Sequence, residues 1–144
     1  LSCLIGVYEY FNNLYEHHFP GQDASTRGKI EAVNELIAKH EMEIANPLLD
    51  YINTRDDINL IGKTKISNKD RAPTIAFTMN NKSSKELSSD LVKQGIATRN
   101  DNFYAWRCLK ALGINVDDGV VRTSMVHYNT HEDVSNLINA LKTI

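Results

Sequence analysis

The sequence has two cysteines, one tryptophan and three prolines in 144 residues, and no uninterrupted apolar stretch longer than four residues. Each shortage excludes something. A helix needs about 20 consecutive apolar residues to cross a bilayer, so a membrane-spanning role is ruled out and no membrane partner is expected. Cys3 and Cys108 lie far apart, with no CxxC or Cys/His spacing around them. Buried free thiols in a reducing, cytoplasmic setting are therefore expected rather than a disulfide or a structural metal. The 16 basic and 18 acidic residues leave a formal charge of −2. That balance supplies no basic field to neutralise phosphates, and nucleic acid is not an expected partner. A Gly-rich phosphate loop, HExxH, GxSxG and an EF-hand loop are all missing, so no catalytic or metal-ligating residue follows from motif chemistry. The adjacent pair His17-His18 lacks the i, i+4 spacing that would put two ligands on one helix face. It suits the end of a helix, where the dipole favours basic groups.

What is present suits one globular core. A chain of this length buries roughly two-thirds of its unfolded surface. The opening Leu-Ser-Cys-Leu-Ile-Gly already follows a helical apolar pattern with no Met or basic leader before it, so the sequence is expected to be a fragment of something longer. Leu1, Leu4, Ile5, Tyr8, Phe11, Leu14 and Tyr15 predict a helix over residues 1–18 with a wide apolar stripe. Ile30, Val33, Ile37 and Ile44 trace a second long helix that either kinks at Pro47 or ends before Leu48. The period then shortens. Strands are predicted at Ile58-Ile61, Thr74-Met79, Ile96-Thr98 and Gly119-Val126. Between them, Ser83 with Glu86 opens a helix carrying Leu87, Leu91 and Val92, closed by Gly95. Asn102 to Leu112 forms another, and Thr130 with Asp133 caps a last one carrying Val134, Leu137, Ile138, Leu141 and Ile144. The order α, α, β, β, α, β, α, β, α predicts an α/β chain: a small, α+β-like domain with a three- to four-stranded, mostly antiparallel sheet covered by helices, preceded by two long helices.

The unusual segment is Gly119 to Thr130, where Arg122 interrupts a good β-strand and His127-Tyr128-Asn129 follows at the strand-to-helix turn. Alternation puts Val120, Arg122, Ser124 and Val126 on one face and Val121, Thr123 and Met125 on the other. If the arginine face is solvated, nothing follows from it. If it looks into a cleft, the guanidinium is a two-pronged donor for a carboxylate or a phosphate.

The run Arg122-x-Ser124, followed by Tyr128-Asn129-Thr130-x-Glu132-Asp133-Val134, resembles the C-terminal end of the class V aminotransferases, pyridoxal-phosphate enzymes of fold type I that include the cysteine desulfurases. Gly95-Ile96-Ala97-Thr98-Arg99 is similar to the family's G-I-x-x-R element. Asn102-Phe103-Tyr104-Ala105 and Val126-His127-Tyr128-Asn129-Thr130 resemble its cysteine desulfurase-like branch. The likeness covers the whole chain, loosely before Arg71 and through specific motifs after it. It implies that residues 1–26 end a large cofactor domain and that residues 27–144 form the small domain. It also implies that Arg122 binds the carboxylate of an amino-acid substrate, with Arg99, Asn102, Tyr104 and His127 as further substrate-binding residues. Arg99 serves equally well as a surface ion-pairing residue. The cofactor lysine and phosphate ligands would lie in the rest of the parent chain, leaving these residues inactive alone. The parent is expected to be a homodimeric, cytoplasmic transferase, desulfurase-like or lyase enzyme. Tyr104 stands where desulfurases carry a nucleophilic cysteine, and a phenol with a pKa near 10 cannot replace a thiolate. The alternative is a free-standing α/β module in which Arg122 and Arg99 recognise a carboxylate on a protein or metabolite.

Overall fold

A computed structural model describes residues 2–67 and 71–144. The chain forms two compact units, Leu1–His40 and Glu41–Ile144. In the first, α1 (Ser2–His18) and the start of α2 (Thr26–Asn53) are joined by a short polar connection. Tyr15 is buried and stacks on Phe19 with ring centroids 4.9 Å apart. Lys29 extends its ammonium over the Tyr15 ring and donates to Asn12 Oδ1 at 2.8 Å. The apolar stripe expected along the whole of α1 is buried only at this end. Leu4, Ile5, Val7, Tyr8 and Tyr10 are exposed, and Leu1 lies outside the described residues.

Helix α2 does not end at Pro47 but continues to Asn53. The reason is burial. Ile44, Ala45, Leu48, Leu49 and Ile52 are all sealed in the core of the second unit. At about 1.5–3 kcal/mol for each large side chain, they outweigh the ~3 kcal/mol that a proline costs inside a helix.

That core is built on a four-stranded sheet in the order β1-β2-β4-β3, made of β1 (Ile58–Ile61), β2 (Thr74–Met79), β3 (Arg99–Asp101) and β4 (Val120–Ser124). Every pairing is antiparallel. Ile75, Phe77, Met79, Val121 and Thr123 point to the core, together with the end of α2, α3 (Ser84–Lys93) and α5 (His131–Lys142). Thr74, Ala76, Thr78, Arg122 and Ser124 alternate with them, and none of these is fully buried. One face of the sheet is therefore sealed, and the other keeps its polar side chains accessible.

Both predicted capping boxes form. Ser83 accepts from the Glu86 N–H while the Glu86 carboxylate accepts from the Ser83 N–H, and Thr130 and Asp133 repeat the pattern at α5. Gly95, at φ +80°, ends α3 by directing its own N–H to the Val92 carbonyl and that of Ile96 to Leu91. This is a left-handed helix stop that needs glycine.

Several expectations are corrected. The strand predicted at Ile96-Thr98 lies three residues later, because the stop at Gly95 takes the Ile96 N–H and pairing with β4 begins only at Arg99. The predicted strand Gly119-Val126 narrows to β4, whose pairing ends at Ser124 opposite Thr74. Val92 is exposed, since it sits one residue round the helix from the buried row Leu87, Ser88 and Leu91. The helix predicted from Asn102 is only α4 (Trp106–Ala111), because residues 102–105 form a turn. Finally, Cys3 and Cys108 are free, but both are exposed rather than buried. In α4 the inward position belongs to Leu109, its neighbour.

Candidate carboxylate-binding site

The register of β3 against β4 sets Arg99 directly opposite Arg122, with Ala76 of β2 opposite Arg122 on its other side. Cross-strand partners share a face, so both guanidinium groups rise from the accessible side of the sheet. Like charges placed directly opposite are destabilising unless an anion answers them. Among the described residues, no carboxylate forms an ion pair with either arginine.

Arg122 is half-buried and has one close companion, the ring of Phe103, whose centroid lies 3.9 Å from the guanidinium carbon. The turn that carries Phe103 is held by Asn102. Its carbonyl accepts from the Ala105 N–H at 2.8 Å, its side-chain oxygen accepts from the Tyr104 N–H at 3.0 Å, and its amide donates to the Val116 carbonyl at 3.4 Å. Phe103 and Tyr104 sit at φ 51° and 61°, consecutive left-handed residues as in a primed β-turn. Bulky side chains rarely adopt that region. One aromatic ring is sent to Arg122 and the next into solvent, where Tyr104 is 100% exposed. Beneath the turn, Gly119 at φ 71° passes so close that a Cβ there would collide with the Asp101 and Asn102 backbone.

At the Ser124 end of the same strand, the Asn129 N–H donates to the Val126 carbonyl at 2.8 Å, and the Asn129 side chain accepts from the Val126 N–H at 2.9 Å. This turn carries His127, half-buried, with its ring edge-on to Tyr128 at 5.4 Å. Asp133 receives the Thr130 N–H and the Asn129 amide, which hold its carboxyl below the ordinary carboxylate range. A cleft of about 290 Å³ opens here, lined by Thr98, Ser124, Met125, Asn129, Asp133 and Asn136 among others.

Of the five residues nominated from the sequence, Arg122 and Arg99 are neighbours across one rung of the ladder. Asn102 and Tyr104 belong to the turn at the Val120 end of β4, and His127 lies beyond its other end. None of the five lines the cleft. Phe103 was not nominated. The signal that could have found it is the polar Asn102 followed by two aromatics and a small residue, between a strand and a short helix. Among the described residues, no group of three His, Cys, Asp or Glu side chains could hold a metal ion. No helix among them is long and apolar enough to cross a membrane.

The architecture is that of an antiparallel sheet covered on one face by helices, and solved structures share that fold. An apo structure of a cysteine desulfurase from Thermococcus onnurineus NA1 superposes with a TM-score of 0.67 at 20% identity, over 82% of this chain and 29% of that one. Residues 30–137 match the family model for class-V aminotransferases, and the chain belongs to that family. An aminotransferase-like protein, FGM3, of Gibberella zeae is 35% identical over 112 residues, which is 76% of this chain and 28% of that protein. A probable cysteine desulfurase of Staphylococcus epidermidis is 29% identical over 106 residues, 74% of this chain and 24% of that protein. The chain thus spans between about a quarter and a third of the length of these relatives. All five nominated residues fall inside the matched segment.

Proposed function

We propose that this chain is the small-domain part of a pyridoxal-phosphate-dependent enzyme acting on an amino acid, in which Arg122 binds the substrate carboxylate. The observation that carries the reading is the arginine pair: two guanidinium groups on one rung of an accessible sheet face, neither in an ion pair with a carboxylate of the described residues. A carboxylate matches the fork of a single guanidinium through two parallel N–H donors. Arg122 is the better fork because it is half-buried and flanked on one face by an aromatic ring. Arg99, exposed and opposite, adds charge at the same place. A carboxylate fixed in this way fixes the bonds at the adjacent carbon, which is an orientation effect. Asn102, Tyr104 and His127 belong to the turns at the two ends of this strand, and in the proposed role they border the bound amino acid.

In the same reading the cofactor is held by other parts of the parent protein, and two observations are in keeping with that. No lysine lines the cleft beside β4. Lys29 is engaged with Asn12 and Tyr15, and Lys82 and Lys93 both with Asp90. No reaction step is therefore assigned to this chain. In the same reading residues 1–26 belong to the cofactor domain and residues 27–144 to the small domain. The exposed apolar side of α1, from Leu4 to Tyr10, is where the rest of the parent homodimer would pack. Free, exposed thiols suit a cytoplasmic setting.

The test is Arg122→Ala in the full-length parent. The visible absorbance of the bound cofactor should persist while amino-acid binding weakens by about 2–4 kcal/mol, the loss expected for a charge-assisted bidentate contact. Unchanged amino-acid affinity would overturn the role of Arg122.

A further inference from the structure

We propose that Phe103 is a positioning residue that sets the plane of the Arg122 guanidinium, an inference that rests on the carboxylate-binding role of Arg122. The distance of 3.9 Å from the guanidinium carbon to the ring centroid puts the cation on the aromatic face. A guanidinium lying flat on that ring would have one face occupied and its in-plane N–H groups free, which is the arrangement a two-pronged acceptor requires. Without the ring, an arginine on an accessible sheet face has several rotamers, and ordering it on binding costs affinity.

The turn gives independent support. Two bulky residues in succession occupy the left-handed region, a conformation that persists only where the surroundings over-determine it and that concentrates at functional sites. Here the surroundings are the four hydrogen bonds of Asn102, the fourth from its own N–H to Asp101 Oδ1 at 2.7 Å, and the close passage of Gly119 beneath the turn. A helix continuing back from α4 would have avoided the strain but would not have formed this turn. The strained geometry is what aims the Phe103 ring at Arg122 and sends Tyr104 outward. Phe103 therefore acts through Arg122 and has no need to touch a ligand.

The experiment compares wild type, Phe103→Leu and Phe103→Tyr in the full-length protein, with L-alanine and ethylamine, its carboxylate-free counterpart, as probes. Phe103→Leu should weaken L-alanine binding about 3- to 30-fold, the range of a cation–π contact, with ethylamine binding unchanged and Phe103→Tyr close to wild type. A second readout needs neither cofactor nor ligand. In wild type the Arg122 side-chain protons should be shifted upfield in the NMR spectrum by the ring current of Phe103, and this shift should vanish in Phe103→Leu. Absence of the ring-current shift in wild type overturns the proposal, as does equal L-alanine affinity in Phe103→Leu and Phe103→Tyr, or an equal loss for L-alanine and ethylamine. If Arg122→Ala itself leaves L-alanine affinity unchanged, the underlying role of Arg122 fails. If Arg122→Ala weakens binding and Phe103→Leu does not, only the positioning role fails.

Discussion

Replacing Gly119 by alanine should be far more damaging than the same change at Gly113 or Gly95, although all three glycines lie at positive φ, between 71° and 80°. A left-handed alanine costs roughly 1–2 kcal/mol wherever it sits. At Gly113 and Gly95 nothing lies within 4 Å of the new methyl group, so that conformational cost is the whole effect. At Gly119 the methyl group meets the carbonyl of Asp101 and the nitrogen of Asn102. These are backbone atoms, which cannot rotate aside as the end of a flexible side chain can. Forcing atoms into a packed site adds about 1–3 kcal/mol, giving about 2–5 kcal/mol in all. The strain should also push β3 and the Phe103 turn away from β4, disturbing the rung that joins Arg99 to Arg122. Urea denaturation of the three variants, with the slope checked for constancy, measures the difference directly. A Gly119→Ala variant as stable as Gly113→Ala would refute the claim that close backbone approach, and not φ alone, dictates glycine there.

Three carboxylates, two in the capping boxes and Asp90 paired with Lys82 and Lys93, should make stability depend on acid. Glu86 is held below its ordinary value by the Ser83 hydroxyl, Asp133 by the Thr130 N–H, and Asp90 is lowered to about 2 chiefly by Lys82. Because these groups bind protons more readily unfolded than folded, their contribution is complete above about pH 4.5 and is lost as pH falls toward 2. Urea midpoints at pH 5, 3 and 2 should decline in that order, and a flat series would count against the boxes. Thr130→Ala should cost about 1 kcal/mol by urea unfolding and leave the decline largely in place, because the backbone N–H that lowers Asp133 is kept. At saturating cysteine, Tyr104→Phe should leave any sulfide release unchanged, since a phenol forms no persulfide, whereas a shift in half-saturation alone fits a place beside the bound amino acid. Loss of sulfide in this variant, with Cys108→Ala unaffected, would show that Tyr104 does take part.

Much of the fold was legible because its signals are local. Among the described residues, apolar spacing set the five helices and four strands in the right order, and the two S/T-x-x-E/D boxes marked the starts of α3 and α5. Where reading failed, tertiary packing decided. Pro47 leaves a kink or a helix end open, and the buried side chains on both sides of it decide against the end by carrying α2 through. Asn102-Phe103-Tyr104 has no glycine to announce a left-handed turn, so it passed for the start of a helix. The start of β3 was misplaced because only its pairing with β4 shows where it begins. For the site, alternation alone put Arg122 on the face opposite Val121 and Thr123, but the neighbouring Arg99 and the ring beneath it depend on register and loop geometry. Exposure of the cysteines was equally invisible, since it turns on which side of a short helix Leu109 occupies.

The role of Arg122 is tested most directly by removing the carboxylate from the ligand and the guanidinium from the protein in the same cycle. L-alanine and ethylamine are titrated into the full-length protein and its Arg122→Ala variant, with the cofactor absorbance as the readout. Wild type should prefer L-alanine by roughly 30- to 1,000-fold, equivalent to the 2–4 kcal/mol of a charge-assisted bidentate contact, and Arg122→Ala should bind the two probes nearly alike. If the variant keeps the wild-type preference for the carboxylate, Arg122 is not the group that binds it.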